Sequence, residues 1–239
     1  MSERTALVVG GTSGIGLATA RRLHAQGATV HVVGRSKERL EALAVSDPEL
    51  VGHRADGGDR EQIAEVLRTV GSLDWLVVAL SGAEGAGPFA ELDLAALRSA
   101  FEAKFWGQLT TVQAALPHLT EDGSITLVTA ISARTALPGT AGLAAVNGAL
   151  ESMIRPLAVE LAPRRVNAVS PGLVATPWWN GMPQEAREAY FAHAAAQLPV
   201  RRVADAADVA EVVALAATNR NLTGTVLESD GGLHLVSMN

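Results

Sequence analysis

Near the amino terminus an apolar run meets a glycine-rich turn that opens into a helical pattern, and this junction limits the possible folds more than any other feature. Leu7-Val8-Val9 is the run, Gly10-Gly11-Thr12-Ser13-Gly14-Ile15-Gly16 the turn, and Leu17 to Ala25 the helical stretch. Glycine lets a backbone bend tightly and approach something bulky. The helix start beyond it offers unpaired N–H groups and the positive end of a dipole. Strand, loop and helix in this order form a cradle for a diphosphate.

The rest of the chain keeps the same alternation. Strand patterns recur at 29–33, 51–55, 73–80, 124–130, 165–170 and 225–229. Helical patterns lie between them: 37–44 capped by Ser36, 59–69 opened by Asp59 with Gln62, a long one from Asp93 to near Pro117, one at 140–162 that Pro156 should kink, and 205–217. The long helix sets Leu94, Leu97, Phe101, Phe105 and Leu109 on one stripe. LDWLVVAL, Leu73 to Leu80, is apolar on both faces and belongs at the centre of a parallel sheet. The order predicts a single doubly wound α/β domain over 1–239, with about seven parallel strands and helices on both faces. In such a sheet the loops at Gly10, Arg35, Asp56, Ser81, Ala130 and Pro171 converge on one site. The stretch 173–199, with Trp178, Trp179, Met182, Tyr190 and Phe191, is too long and aromatic for a plain connection and reads as a substrate lid.

Composition removes several function classes. A chain of 239 residues, 48% hydrophobic, suits one sizeable core. There is no apolar run of the roughly eighteen residues a membrane span needs, and the first residues lack a signal-peptide layout, so a soluble cytoplasmic protein is expected. Without cysteine there are no disulfides, thiolate nucleophiles or cysteine metal sites. The six histidines, His24, His31, His53, His118, His193 and His234, lack ligand spacing, so no metal site is expected. With 19 basic and 25 acidic residues and no basic stripe, nucleic acid is not an expected partner.

With these motifs in order, the chain resembles the short-chain dehydrogenase/reductase family from Thr5 to about Gly232. Gly10, Gly14 and Gly16 fall at that family's three glycine positions, with Val9 where a threonine is usual. The ending Asp230-Gly231-Gly232 is also typical of it. The resemblance implies a Rossmann domain that binds a nicotinamide dinucleotide. Gly10, Thr12, Ser13, Gly14, Ile15 and Gly16 would hold the diphosphate, and Asp56 would meet the adenine amino group. Ser81 and Gly82 would lie along the cofactor at the end of the fourth strand. Pro171, Gly172, the Val174 backbone and the Thr176 hydroxyl would hold the carboxamide, with Asn147 on the nicotinamide ribose. An NAD enzyme of this kind places an acidic residue at the end of the second strand. Here Gly34 stands there, followed by Arg35 and Ser36, and an arginine fork beside a hydroxyl suits a 2′-phosphate, so NADP is expected over NAD.

The family's catalytic asparagine, serine, tyrosine and lysine are all replaced. An ungapped alignment of Ser124 to Glu151 puts Ala130 at the serine, Leu143 at the tyrosine and Asn147 at the lysine, and in FEAKFWG Lys104 stands at the asparagine. Leucine transfers no proton and alanine donates no hydrogen bond. No tyrosine occurs between Phe89 and Glu188 to repair the set. Three residues are candidates to substitute: Lys104 on the inward stripe of its helix, Ser132 beside the vacated serine position, and Glu84 in the loop Ser81 to Pro88. Each has a plainer structural alternative, for Lys104 that of a buried stem whose amine ties up backbone carbonyls.

The expected function is an NADP-dependent oxidoreductase acting on an apolar carbonyl, alcohol or related small molecule with a non-standard proton donor. Two alternatives stand beside it, a catalytically silent NADP-binding protein and a non-redox isomerase or cyclase on the same fold. The resemblance also implies a homotetramer or homodimer formed through the long helices.

Overall fold

β1 (Arg4–Val9) runs into α1 (Gly14–Ala25), followed by β2 (Ala28–Gly34), α2 (Lys37–Ser46), β3 (Val51–Arg54), α3 (Arg60–Val70) and β4 (Leu73–Val78). The second half continues with α4 (Leu94–Ala100), a π-helical stretch Phe101–Trp106, α5 (Gly107–Ala115), β5 (Leu119–Val128), α6 (Ala141–Glu160) and β6 (Arg165–Pro171). It ends with β7 (Val174–Ala175), α7 (Gln184–Gln197), β8 (Ala204–Asp205), α8 (Ala206–Thr218) and β9 (Val226–Ser229). This is a computed structural model, and it describes residues 4–82 and 85–236.

Seven strands form one parallel sheet in the order β3-β2-β1-β4-β5-β6-β9. β1 pairs with β2 on one side and β4 on the other, Val9 lying opposite both Val33 and Val78. Strand order therefore reverses beside β1, and the crevice at that reversal opens at the carboxyl ends of β1 and β4. Both faces are covered, as the apolar strand sequences require. Leu7 and Val9 pack with Ile63, Leu67, Val112, Leu150 and Ile154 of α3, α5 and α6. Their alternates Ala6 and Val8 pack on the other face with Ala20, Leu23, Leu43, Val209 and Val213 of α1, α2 and α8.

The expected caps are present. Ser36 accepts from the Arg39 N–H at 3.2 Å, and Asp59 accepts from the Glu61 and Gln62 N–H groups. Gln62 returns one amide hydrogen to Asp59 and accepts the Asp56 N–H at 2.9 Å, which ties the end of β3 to α3. Two features depart from the sequence pattern. β5 starts at Leu119, five residues before the expected Ser124, with a register irregularity against β4 between Leu73 and Trp75. The long helix is not uniform: its apolar stripe reads as continuous α-helix, but the backbone widens to π-helix over Phe101–Trp106, where Phe105 meets Phe101 and Trp106 edge to face. Helix α6 runs on through Pro156. No helix among the described residues is long and apolar enough to cross a membrane.

The segment from 176 to 203 leaves the sheet and returns at a two-stranded parallel ladder of β7 and β8. Its aromatic side chains pack together: Trp179 meets Trp178 and Phe191 edge to face and lies tilted against Tyr190, and its indole N–H donates to the Val174 carbonyl at 3.0 Å.

At the first turn, a Cβ on Gly16 would sit 2.2 Å from the Gly10 carbonyl oxygen, so the start of α1 lies directly on the loop. Gly16→Ala should therefore cost roughly 1–3 kcal/mol of stability as loop and helix are forced apart. Urea denaturation reads this directly, and an unchanged midpoint would show that the turn has slack.

Candidate functional site

The loops at the carboxyl ends of the strands enclose one cleft of about 1690 Å³. Every site residue expected from the sequence lines it, except Glu84, which lies outside the described residues.

At one end is the glycine turn. Ser13, the N-cap of α1, makes no side-chain cap hydrogen bond, so the first N–H groups of the helix face the cleft without a capping acceptor. A Cβ on Gly14 would lie 3.4 Å from Thr176 Cβ, so this turn and the segment after β6 meet across the cleft.

At the end of β2 the cleft is basic. The Arg35 side chain is 76% exposed, its guanidinium 3.8 Å from Asp56. Arg54 donates to the Arg35 carbonyl at 3.3 Å, and Arg39 donates to Ser13 Oγ at 3.2 Å. Arg39 was not among the residues the sequence pointed to. It occupies the third position after the Ser36 cap, where a first-turn side chain leans back toward the helix start and so toward the cleft. Ser36 lines the cleft, but its hydroxyl donates to Glu38 at 2.7 Å, and that bond holds the Glu38 carboxyl below its ordinary range. Gly34 has no room for a side chain: a Cβ there would lie 2.4 Å from Thr12 Cγ2. Asp56 accepts from the Gly58 N–H at 2.9 Å, fixing its carboxylate at the cleft edge.

The opposite end holds the replaced positions. Ala130 and Ser132 sit on the turn after β5, and Leu143 and Asn147 one turn apart on α6. Asn147 Nδ2 donates to Ser132 Oγ at 3.1 Å and to the Leu143 carbonyl at 2.9 Å. Asn147 Oδ1 is buried without a hydrogen-bond partner. Because Ser132 accepts from Asn147, its own O–H is left to donate toward the cleft.

Lys104 comes in from the π-helical stretch and is 8% exposed. Its Nζ donates to the Thr129 carbonyl at 3.1 Å, so the carbonyl-binding alternative holds, yet the residue also lines the cleft. Burial pulls the amine down to about 8, against a smaller upward pull from Glu151. Thr129 also borders the cleft, but its hydroxyl is engaged by Glu151 at 2.8 Å and the Val169 carbonyl at 3.2 Å. Buried Gln108 fixes this floor: its amide donates to the carbonyls of Leu80 and Val128, bridging the ends of β4 and β5. The remaining wall is apolar and aromatic, formed by Leu137, Leu143, Trp178, Trp179, Tyr190 and Leu233. Among the described residues no cluster of three or more His, Asp or Glu could hold a metal ion.

Comparison with known proteins agrees with this architecture. A family model described as enoyl-(acyl carrier protein) reductase matches residues 9–234. The chain is 36% identical over 248 residues to cis-4-hydroxycyclohexanecarboxylate dehydrogenase of Sinomonas cyclohexanicum, covering 97% of this chain and 96% of that one. A small-chain dehydrogenase solved in complex with NADPH superposes with a TM-score of 0.87 at 33% identity, over 98% of this chain and 100% of the other. The MalC reductase/Diels-Alderase of Malbranchea aurantiaca superposes with a TM-score of 0.89 at 25% identity, over 98% of this chain and 97% of its own. With its seven-stranded sheet, glycine turn and match over nearly the whole length, the chain belongs to the short-chain dehydrogenase/reductase family of oxidoreductases.

Proposed function

We propose that this protein is an NADP-dependent oxidoreductase acting on a largely apolar carbonyl or alcohol, with Lys104 as the proton donor to, or acceptor from, the substrate oxygen. The observation that carries this is a buried amine that lines the same cleft as the Ser132 hydroxyl, the glycine turn and an apolar, aromatic wall.

The residues present fit the dinucleotide. The uncapped start of α1 suits a diphosphate, and unpartnered Asn147 Oδ1 suits a ribose hydroxyl. Arg35 and Arg39 flank the end of β2, where Gly34 leaves no acidic group to repel a 2′-phosphate. When bound, the cofactor supplies or accepts the hydride. The chain's own work is then to position the substrate and manage one proton. Ser132, oriented by Asn147, donates a hydrogen bond to the substrate oxygen. Lys104, charged, gives that oxygen its proton in reduction and, neutral, takes it in oxidation. Trp178 and Trp179 with Leu143 exclude water, and the 173–199 segment acts as a lid over them.

A second reading, a non-redox isomerase or cyclase, draws on Leu143 and Ala130, which leave two usual catalytic positions apolar, and on the likeness to a reductase that is also a Diels-Alderase. Exposed Leu94 and Trp106 beside Phe101 in a shallow groove support pairing of the long helices with those of a second copy. Sedimentation as a monomer at micromolar concentration would refute that pairing.

Fluorescence titration should show NADPH binding more tightly than NADH, with about tenfold or greater loss of NADPH affinity in Arg35→Ala. Equal affinities would remove the NADP assignment. Lys104→Met should lower turnover by about 10² to 10⁴ while NADPH affinity holds within about twofold; undiminished turnover removes Lys104 from the chemistry, and product formed equally without cofactor establishes the second reading.

Stability carries the same signature. The amine titrates near 10.5 when exposed and near 8 in the fold, so the unfolded chain holds more protons between these values. The cost of burying the charge is fully present below the lower value and is relieved as pH rises through the window. Urea midpoints of the wild type should therefore climb relative to Lys104→Met between those two pH values, and parallel curves would contradict the burial of a charged amine.

A further inference from the structure

Only two of the chain's 19 basic residues are lysines, Lys37 and Lys104. Lys37 lies on the exposed side of α2, 3.5 Å from Glu41. At the cleft floor an arginine would stay charged at any working pH, whereas a lysine can lose its proton. A buried ammonium needs a counter-charge, but a carboxylate in direct contact would lock it in an ion pair.

The surroundings of Lys104 meet both demands. Its amine bonds to the Thr129 carbonyl, and the hydroxyl of the same threonine donates to Glu151 Oε1 at 2.8 Å. Glu151 sits one turn beyond Asn147 on α6, its side chain 9% exposed. Its other oxygen takes Arg134 through Nε at 3.0 Å and a terminal nitrogen at 2.9 Å. Arg134 also pairs with Glu228, and behind it His234 lies between Glu228 and Asp230, at 3.3 and 2.7 Å. Arg98 and Glu102, on the helix that carries Lys104, line the cleft as well.

We propose that Glu151 is the positioning residue for Lys104, keeping the amine charged and held at the cleft floor, with Thr129 as the spacer that stops the two from closing into an ion pair. Arg134 limits this field by neutralising part of the carboxylate. The assignment rests on the reading of Lys104 as the proton donor. It deepens that reading, because the pH range over which the donor is charged is then set by a residue that touches neither substrate nor cofactor.

With two lysines the test is direct. Protein made with isotope-labelled lysine in a Lys37→Arg background gives a single side-chain signal, whose pH midpoint follows Lys104 by NMR. Glu151→Gln keeps an acceptor for Thr129 and removes the charge, so the midpoint should fall from about 8 by about one pH unit or more. Arg134→Gln removes the neutralising partner, so the midpoint should rise. If the reaction is followed as reduction, its alkaline limb should move the same way in each variant, since the charged amine is the donor. An unchanged midpoint in Glu151→Gln, or both midpoints moving in one direction as general loosening would cause, overturns the proposal. If Glu151→Gln does not fold, Arg134→Gln decides alone, with a rise in support and any other result against. NADPH titration and turnover run beside it separate the two claims: opposite midpoint shifts in a protein that neither binds NADPH nor turns over would sink the functional reading and leave the Glu151 assignment standing.

Discussion

Burial of the sheet on both faces is the constraint from which the rest follows. Once helices cover each face, the strands carry apolar residues almost without interruption, as in LDWLVV of β4, and the core has no room for chemistry. The polar groups that line the cleft come from the strand ends and the loops and helices beyond them. Because the chain builds outward from β1 to β3 and then restarts at β4, the carboxyl ends of β1 and β4 part and leave the crevice that becomes the cleft. The glycine turn, the basic end of β2 and the floor after β5 therefore share one space although the floor lies more than a hundred residues along the chain from the glycine turn.

Within that space the two ends use charge in opposite ways. At the end of β2 the groups are exposed: Arg35 stands largely in solvent, 3.8 Å from Asp56, and Arg39 and Arg54 brace the turn. Around Lys104 the charge is buried at one end only: the Lys104 amine and the Glu151 carboxylate are shielded, while Arg134 and Glu228 reach the surface. The run from Lys104 through Thr129, Glu151 and Arg134 to Glu228 alternates in sign and is hydrogen-bonded along its length. Removing one member of such a set leaves its neighbour uncompensated, which makes this floor more sensitive to substitution than the open end.

The apolar wall completes the division of labour. Trp178 and Trp179 come from a segment that leaves the sheet after β7 and returns at β8, so this part of the apolar wall belongs to an excursion and not to the core.

Local sequence determined the seven strands, the order of helices between them, the glycine turn and the Ser36 and Asp59 caps, because each depends on periodicity or turn chemistry within a few residues, and the alternation of strand and helix then implied that the loops converge on one site. The resemblance to the family's motifs, and not local periodicity, picked out Arg35 at the end of β2 and the unusual residues Lys104, Ala130, Leu143 and Asn147. Tertiary structure decided the rest. Arg39 joins the cleft only because α2 leans its first turn over Ser13, and the long helix opens into π-helix despite a regular apolar stripe. Lys104 and Glu151 are connected only because β5 brings Thr129 between them, 25 residues from one and 22 from the other. A buried charge is set by whatever lies across from it in space, and spacing along the chain carries no record of that.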